Sequence, residues 1–77
     1  MVLNFKYEGT IGDIMPVVKE YLESKNYDII HYASESGYIL TDYRLFRLNT
    51  GRVYLALSIN INDLVVVLGM GKYEIVT

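Results

Sequence analysis

The side chains best suited to proton transfer gather around a single imidazole. His31 is the only histidine, and Asp28, Glu35 and Asp42 flank it along the same stretch of chain. An imidazole held by a carboxylate within hydrogen-bond reach is the usual general acid–base unit. Neither a second histidine, nor a cysteine, nor a recognisable motif completes that unit. His31 therefore reads as a structural strand residue, on a face set by the length of the turn that follows it.

Two other groupings carry a trace of chemistry. Gly69-Met70-Gly71-Lys72 is like a fragment of a phosphate loop, but the full pattern needs GxxxxGK[ST] opening into a helix. Here Tyr73 follows in a strand-like segment, so a bulge or twist in a long edge strand is expected. Arg44, Arg47 and Arg52 share an expected hairpin with Tyr43, Phe46 and Tyr54, and arginine between aromatics can stack on single-stranded bases. Asp42 sits on the same hairpin, and a net charge of −2 with a pI near 5.2 argues against a nucleic-acid binder. Eight tyrosines are what half-buried strands accommodate, ring packed and hydroxyl in water. No catalytic, cofactor-binding or metal-ligating residue is assigned, and the chain reads as no enzyme.

With 77 residues, there is room for one domain, spanning 1–77. So short a chain buries only about 60% of the surface its unfolded form exposes. Without cysteine or a zinc-ligand set, stability rests on apolar packing, which suits 52% hydrophobic residues and a mean hydropathy of +0.22. No apolar run approaches the roughly 20 residues of a membrane-spanning helix. The start, MVLNFKYEGT, has no signal-peptide pattern, which leans towards the cytoplasm; removal of a signal would leave the envelope open.

The elements that must position these residues follow from periodicity. Val2 to Tyr7 alternates as a half-buried strand. Ile14, Val17, Val18, Tyr21 and Leu22 fall on one stripe, predicting an amphipathic helix over 11–25 with Asp13 as N-cap and Pro16 in its first turn. Lys25 and Asn26 suit its C-terminal end. Strands are expected over 27–33 and 38–48, separated by a Ser34–Gly37 turn. Further strands follow over 52–61 and 64–70, with a last segment at 73–76. The fold class is α+β: one helix on one face of an antiparallel meander, order β-α-β-β-β-β, with the first strand leaning towards the C-terminal one.

Turn lengths assign side chains to faces. A three-residue loop at Asn49-Thr50-Gly51, with Gly51 left-handed, pairs Leu45 with Leu55; a two-residue loop would turn Asp42 and Arg44 into the core. A two-residue turn at Ile61-Asn62 pairs Ile59 with Leu64. On this register the face away from the helix carries Leu40, Arg44, Phe46, Tyr54, Ala56, Val65 and Val67, a semi-apolar strip of interface composition.

Tyr21-Leu22-Glu23-Ser24-Lys25-Asn26-Tyr27-Asp28-Ile29 followed by Ser36-Gly37-Tyr38-Ile39-Leu40-Thr41-Asp42-Tyr43-Arg44 resembles the small helix-plus-sheet domains of BamC-like bacterial envelope lipoproteins. There a helix ends in Gly-Tyr/Trp-x-Ile, and the sheet opens with Gly-x-Ile-x-Thr-Asp/Glu-Trp. Asn26 stands for the usual glycine and Tyr43 for the common tryptophan, across the middle third of the chain. The resemblance implies a non-enzymatic interaction domain and transfers no catalytic residue. The expected function is thus a protein-interaction or assembly module, bound to a protein partner or to a second copy through the open sheet face. The alternatives are a small-ligand binder, since dodecin-like flavin proteins share a short β-α-β-β order, and a single-stranded nucleic-acid binder acting through the 43–54 hairpin. The absence of tryptophan to stack a flavin weighs against the dodecin-like reading.

Overall fold

In the computed structural model, residues 2–75 are described. They form β1 (Val2–Phe5), α1 (Ile11–Ser24), β2 (Ile29–Ala33), β3 (Tyr38–Thr41), β4 (Arg44–Leu48), β5 (Gly51–Ile61) and β6 (Val65–Ile75). The sheet is antiparallel throughout, in the order β1-β6-β5-β3-β2, with β4 also pairing β5. It is not a simple meander, because β1 docks beside β6, the strand furthest from it in the chain. That is the edge the sequence favoured for it.

Helix α1 starts one turn earlier than Asp13 would set it. Thr10 is the N-cap, and Asp13 occupies the third helical position of a capping box. The Asp13 N–H donates to Thr10 Oγ1 at 3.2 Å, and the Thr10 N–H donates back to Asp13 Oδ2 at 3.1 Å. Pro16 consequently lies in the second turn, where it removes a backbone bond that a first-turn proline would not. The helix ends in a Schellman motif. Asn26 takes a left-handed φ of 66°, and the Tyr27 N–H donates to the Leu22 carbonyl at 3.1 Å. That bend drops Tyr27 into the core beside Leu22.

Met15 and Leu22 pack with Tyr27, Ile39, Ile59, Ile61 and Val65 as the buried cluster. Odd-numbered positions of β5 and β6 face the helix: Leu57, Ile59, Ile61, Val65 and Val67 all belong to or border that cluster. The predicted register of this hairpin is therefore wrong. The loop is the three residues 62–64, Ile61 pairs with Val65, and Ile59 pairs with Val67 rather than Leu64. Moving the register by an odd number of residues inverts the strand. Val65 and Val67 thus lie under the helix, and Leu68 and Met70 on the open face. β6 runs unbroken through Gly69 and Gly71 to Ile75, so the expected bulge is not there and the 73–76 segment continues the same strand as far as it is described.

The other hairpin also departs from expectation. Leu48 pairs with Gly51 across a two-residue loop, Asn49-Thr50, and Gly51 is not left-handed. Gly51 is needed for a different reason: a β-carbon there would run into the Glu74 carbonyl of β6. The objection to this loop, that it sends Asp42 and Arg44 into the core, is met by a break in the long strand. Tyr38↔Asn60 and Arg44↔Leu55 belong to ladders one residue out of step, and Asp42-Tyr43 takes up the difference as a bulge. Asp42 stays exposed and accepts the Tyr43 N–H at 2.8 Å, while its own N–H donates to the Asp28 carbonyl at 2.8 Å.

The bulge leaves a gap in the ladder that a side chain fills. Thr41, 2% exposed, accepts the Leu57 N–H on its hydroxyl at 2.9 Å. Thr41→Val keeps the shape and removes the acceptor, orphaning a backbone donor in a part-buried site. Chemical denaturation should show a loss of about 1–3 kcal/mol for Thr41→Val and much less for Thr41→Ser.

A second expectation concerns acid. The Thr10 backbone N–H, and then its hydroxyl, hold the Asp13 carboxyl below its ordinary value of 3.8, slightly opposed by desolvation. A carboxyl depressed in the folded state contributes its stability above the unfolded value and loses it as pH falls through the folded one. Melting temperature followed from neutral pH down into that acid window should fall less steeply for Asp13→Asn than for the parent, from a lower neutral starting point.

Candidate interaction surface

The geometry divides the seven residues expected on one face. Leu40, Tyr54 and Ala56 lie on the face away from α1, as expected. Arg44, Phe46, Val65 and Val67 lie on the helix side, because both turn lengths differ from expectation and each difference inverts a strand. Arg44 and Phe46 are not free to serve as a docking pair. The Arg44 guanidinium lies 4.3 Å from the Phe46 ring centre and 5.6 Å from that of Tyr27, so it closes the end of the core.

The open face that results is centred on different residues from the expected strip. Around the buried Ala56 stand Tyr38, Leu40, Leu68 and Met70, with Ile30 and Tyr43 at the margin, enclosing a shallow groove of about 380 Å³. Leu68 is 40% exposed and Ile30 58%. Leu68 and Met70 were missed because Val65-Val66-Val67-Leu68 has no alternation to mark a face, whereas Tyr38 shares its face with Leu40 two residues on. Only the turn length could assign Leu68 and Met70, and the Asn62-Asp63 pair was the signal that the turn lies later.

His31 is on this face too, paired with Leu40, its ring 5.5 Å from that of Tyr38. Asp28, Glu35 and Asp42 are not brought to it: among the described residues no hydrogen bond joins His31 to a carboxylate, and Asp42 is engaged by its own turn. Nor do any three histidine, cysteine, aspartate or glutamate side chains among the described residues gather as a metal site. Gly69-Met70-Gly71-Lys72 lies inside β6, with Lys72 Nζ 4.6 Å from the Tyr43 ring centre. The arginine hairpin is real as a hairpin, but its cations are partly spent. Arg44 is stacked inward, and Arg52 Nε stands 3.6 Å from Glu74 Oε2, an exposed pair of small energetic worth.

On the helix side, α1 leaves the β1 edge of the sheet partly uncovered. Leu3, Phe5, Val17, Tyr21 and Val67 line a groove there of about 550 Å³, with Phe5 51% and Tyr21 61% exposed. No helix among the described residues is long and apolar enough to cross a membrane.

Compared with known proteins, the chain matches no family model and no curated sequence. The site must be read from its own geometry.

The inward stacking of Arg44 has a measurable consequence. Each cation–π contact at a partly exposed site is worth about 0.5–1 kcal/mol. Arg44→Ala should lower stability by about 1–2 kcal/mol in urea, counting the lost packing of its stem over Tyr27 and Phe46, with Arg44→Lys recovering part of it.

Proposed function

We propose that this protein is a non-enzymatic interaction module that binds a protein partner through the open face of its sheet. One observation carries the reading: the centre of that face is apolar across β3, β5 and β6, and α1 lies on the other side. Contiguous apolar surface of this extent marks protein contact more often than it occurs idly on a monomer. Tyrosine and methionine, both enriched in interface cores, supply much of it. The central residues Tyr38, Leu40, Ala56, Leu68 and Met70 are uncharged, and the carboxylate that lines the groove beside them, Asp42, already accepts the Tyr43 N–H.

Methionine oxidation tests this without altering the chain. Met15 is fully buried and serves as the internal reference, whereas Met70 sits on the open face. In cells that make the protein, Met70 should be oxidised several-fold more slowly than in dilute purified monomer, with Met15 unchanged. Leu68→Asp should abolish that protection while leaving the circular dichroism spectrum intact. Equal Met70 oxidation in the cell and in the dilute monomer would refute the reading.

A further inference from the structure

We infer that the partner for this face is a second copy of the chain, laid across it in antiparallel fashion, so that the basic arm of each copy covers the acidic turn end of the other. This rests on the open-face reading and adds to it the identity and direction of the partner.

Shape supplies the first argument. The molecule measures 48 × 19 × 16 Å. At about 3.4 Å per residue in a strand and 1.5 Å in a helix, β5 and β6 outrun α1 by well over a helical turn. Beyond the helix they continue with β4 as a three-stranded arm. Five strands spaced about 4.8 Å apart, plus this arm, present on the order of 700 Å² of flat open face. Standard interfaces take about 600–1,000 Å² from each partner, so a second sheet of the same size falls within that range. In the aligned class of face-to-face packing, the one that covers an elongated sheet along its whole length, strands keep within about 30° of each other and run parallel or antiparallel.

Charge decides between them. On its open side the arm, residues 44–55 and 70–75, carries Arg47, Arg52 and Lys72 against Glu74 alone, since Arg44 is stacked on the helix side. The opposite end of the sheet, where the 34–37 and 62–64 turns meet, carries Glu35 and Asp63. Parallel stacking would set arm on arm and turn on turn, like against like. Antiparallel stacking about a two-fold axis near Ala56, the middle residue of β5, sets each arm on the partner's turns. Ala56, 3% exposed, forms the floor of the groove at the axis, with Tyr38, Leu40, Leu68 and Met70 around it as the contact residues.

A local strain points the same way. Arg47 and Arg52 are directly opposite each other in the β4–β5 ladder, a like-charge pair that is destabilising in isolation, and Arg52 has only a long contact to Glu74. Glu35 and Asp63 of a second copy bring the missing counter-charge.

The test is sedimentation of the full chain with charge reversals at exposed sites. Arg47→Glu with Arg52→Glu, and separately Glu35→Lys with Asp63→Lys, should each weaken the dimer by about tenfold or more at low salt, and all four in one chain should restore it. Raising salt from about 0.05 to about 0.5 M should weaken the parent dimer. The chain has no cysteine, so R47C and E35C can each be added as a single thiol; oxidation should link them when mixed and link neither alone. A link in R47C alone, dimerisation strengthened by salt, or reversals without effect would overturn the antiparallel arrangement while leaving a face-to-face dimer standing. A monomer above about 100 µM would overturn the second copy as partner. Met70 protected in cells would then keep the face reading with a different protein, and Met70 unprotected would end both.

Discussion

The β5–β6 hairpin is the element on which the rest of the molecule depends. Eleven consecutive residue pairs, from Gly51↔Ile75 to Ile61↔Val65, join the two strands without a bulge. Every other strand but β2, which pairs with β3, attaches to one of these two. β1 takes the outer edge of β6 at the turn end, and β3 and β4 share the outer edge of β5 in succession. The helix meets the sheet only along the half nearest the 62–64 turn. Because the hairpin is longer than the helix, a protruding arm and an uncovered face are built into the fold.

A core this thin has to be closed by unusual means. The buried cluster holds only seven side chains, and its far end is sealed by Arg44 over Tyr27 and Phe46. An arginine can do this because its flat, weakly hydrated head lies on aromatic faces while its edge stays in water. The same economy governs the ladder. Where Asp42-Tyr43 breaks the pairing with β5, the Thr41 hydroxyl stands in for a backbone carbonyl. The bulge keeps Asp42 in solvent and puts Phe46 on the core side, two results that an unbroken strand could not give together.

Charge follows from the same geometry. The cations of the 44–52 hairpin and Lys72 fall on the arm, while the acidic residues of the turns collect about the other end. A chain of net −2 thereby carries a cationic arm apart from its acidic turns. Total charge is a poor guide to partners in such a molecule, since a patch of either sign is available to a neighbour.

Much of the architecture was legible in the sequence. The apolar stripe from Ile14 to Leu22 marked the helix, Asn26 marked its end, and alternation from Val53 to Ile61 marked the central strand, because each of these signals is local. The antiparallel α+β class could be read as well, whereas the neighbour of the first strand was no more than a leaning until β1 was found paired with β6. The N-cap and the membership of the open face could not. Thr10 and Asp13 are both good caps, and only the reciprocal bonds between them show which one begins the helix. Two turns, at 49–50 and 62–64, decide the face of every residue in β4 and β6, and side-chain alternation turns a miscount of one or three residues into a full inversion. In the valine run before Leu68 nothing local resists that inversion. Tertiary packing resolved it, by placing Val65 and Val67 against Met15, Leu22 and their neighbours and so delivering Leu68 and Met70 to the open side.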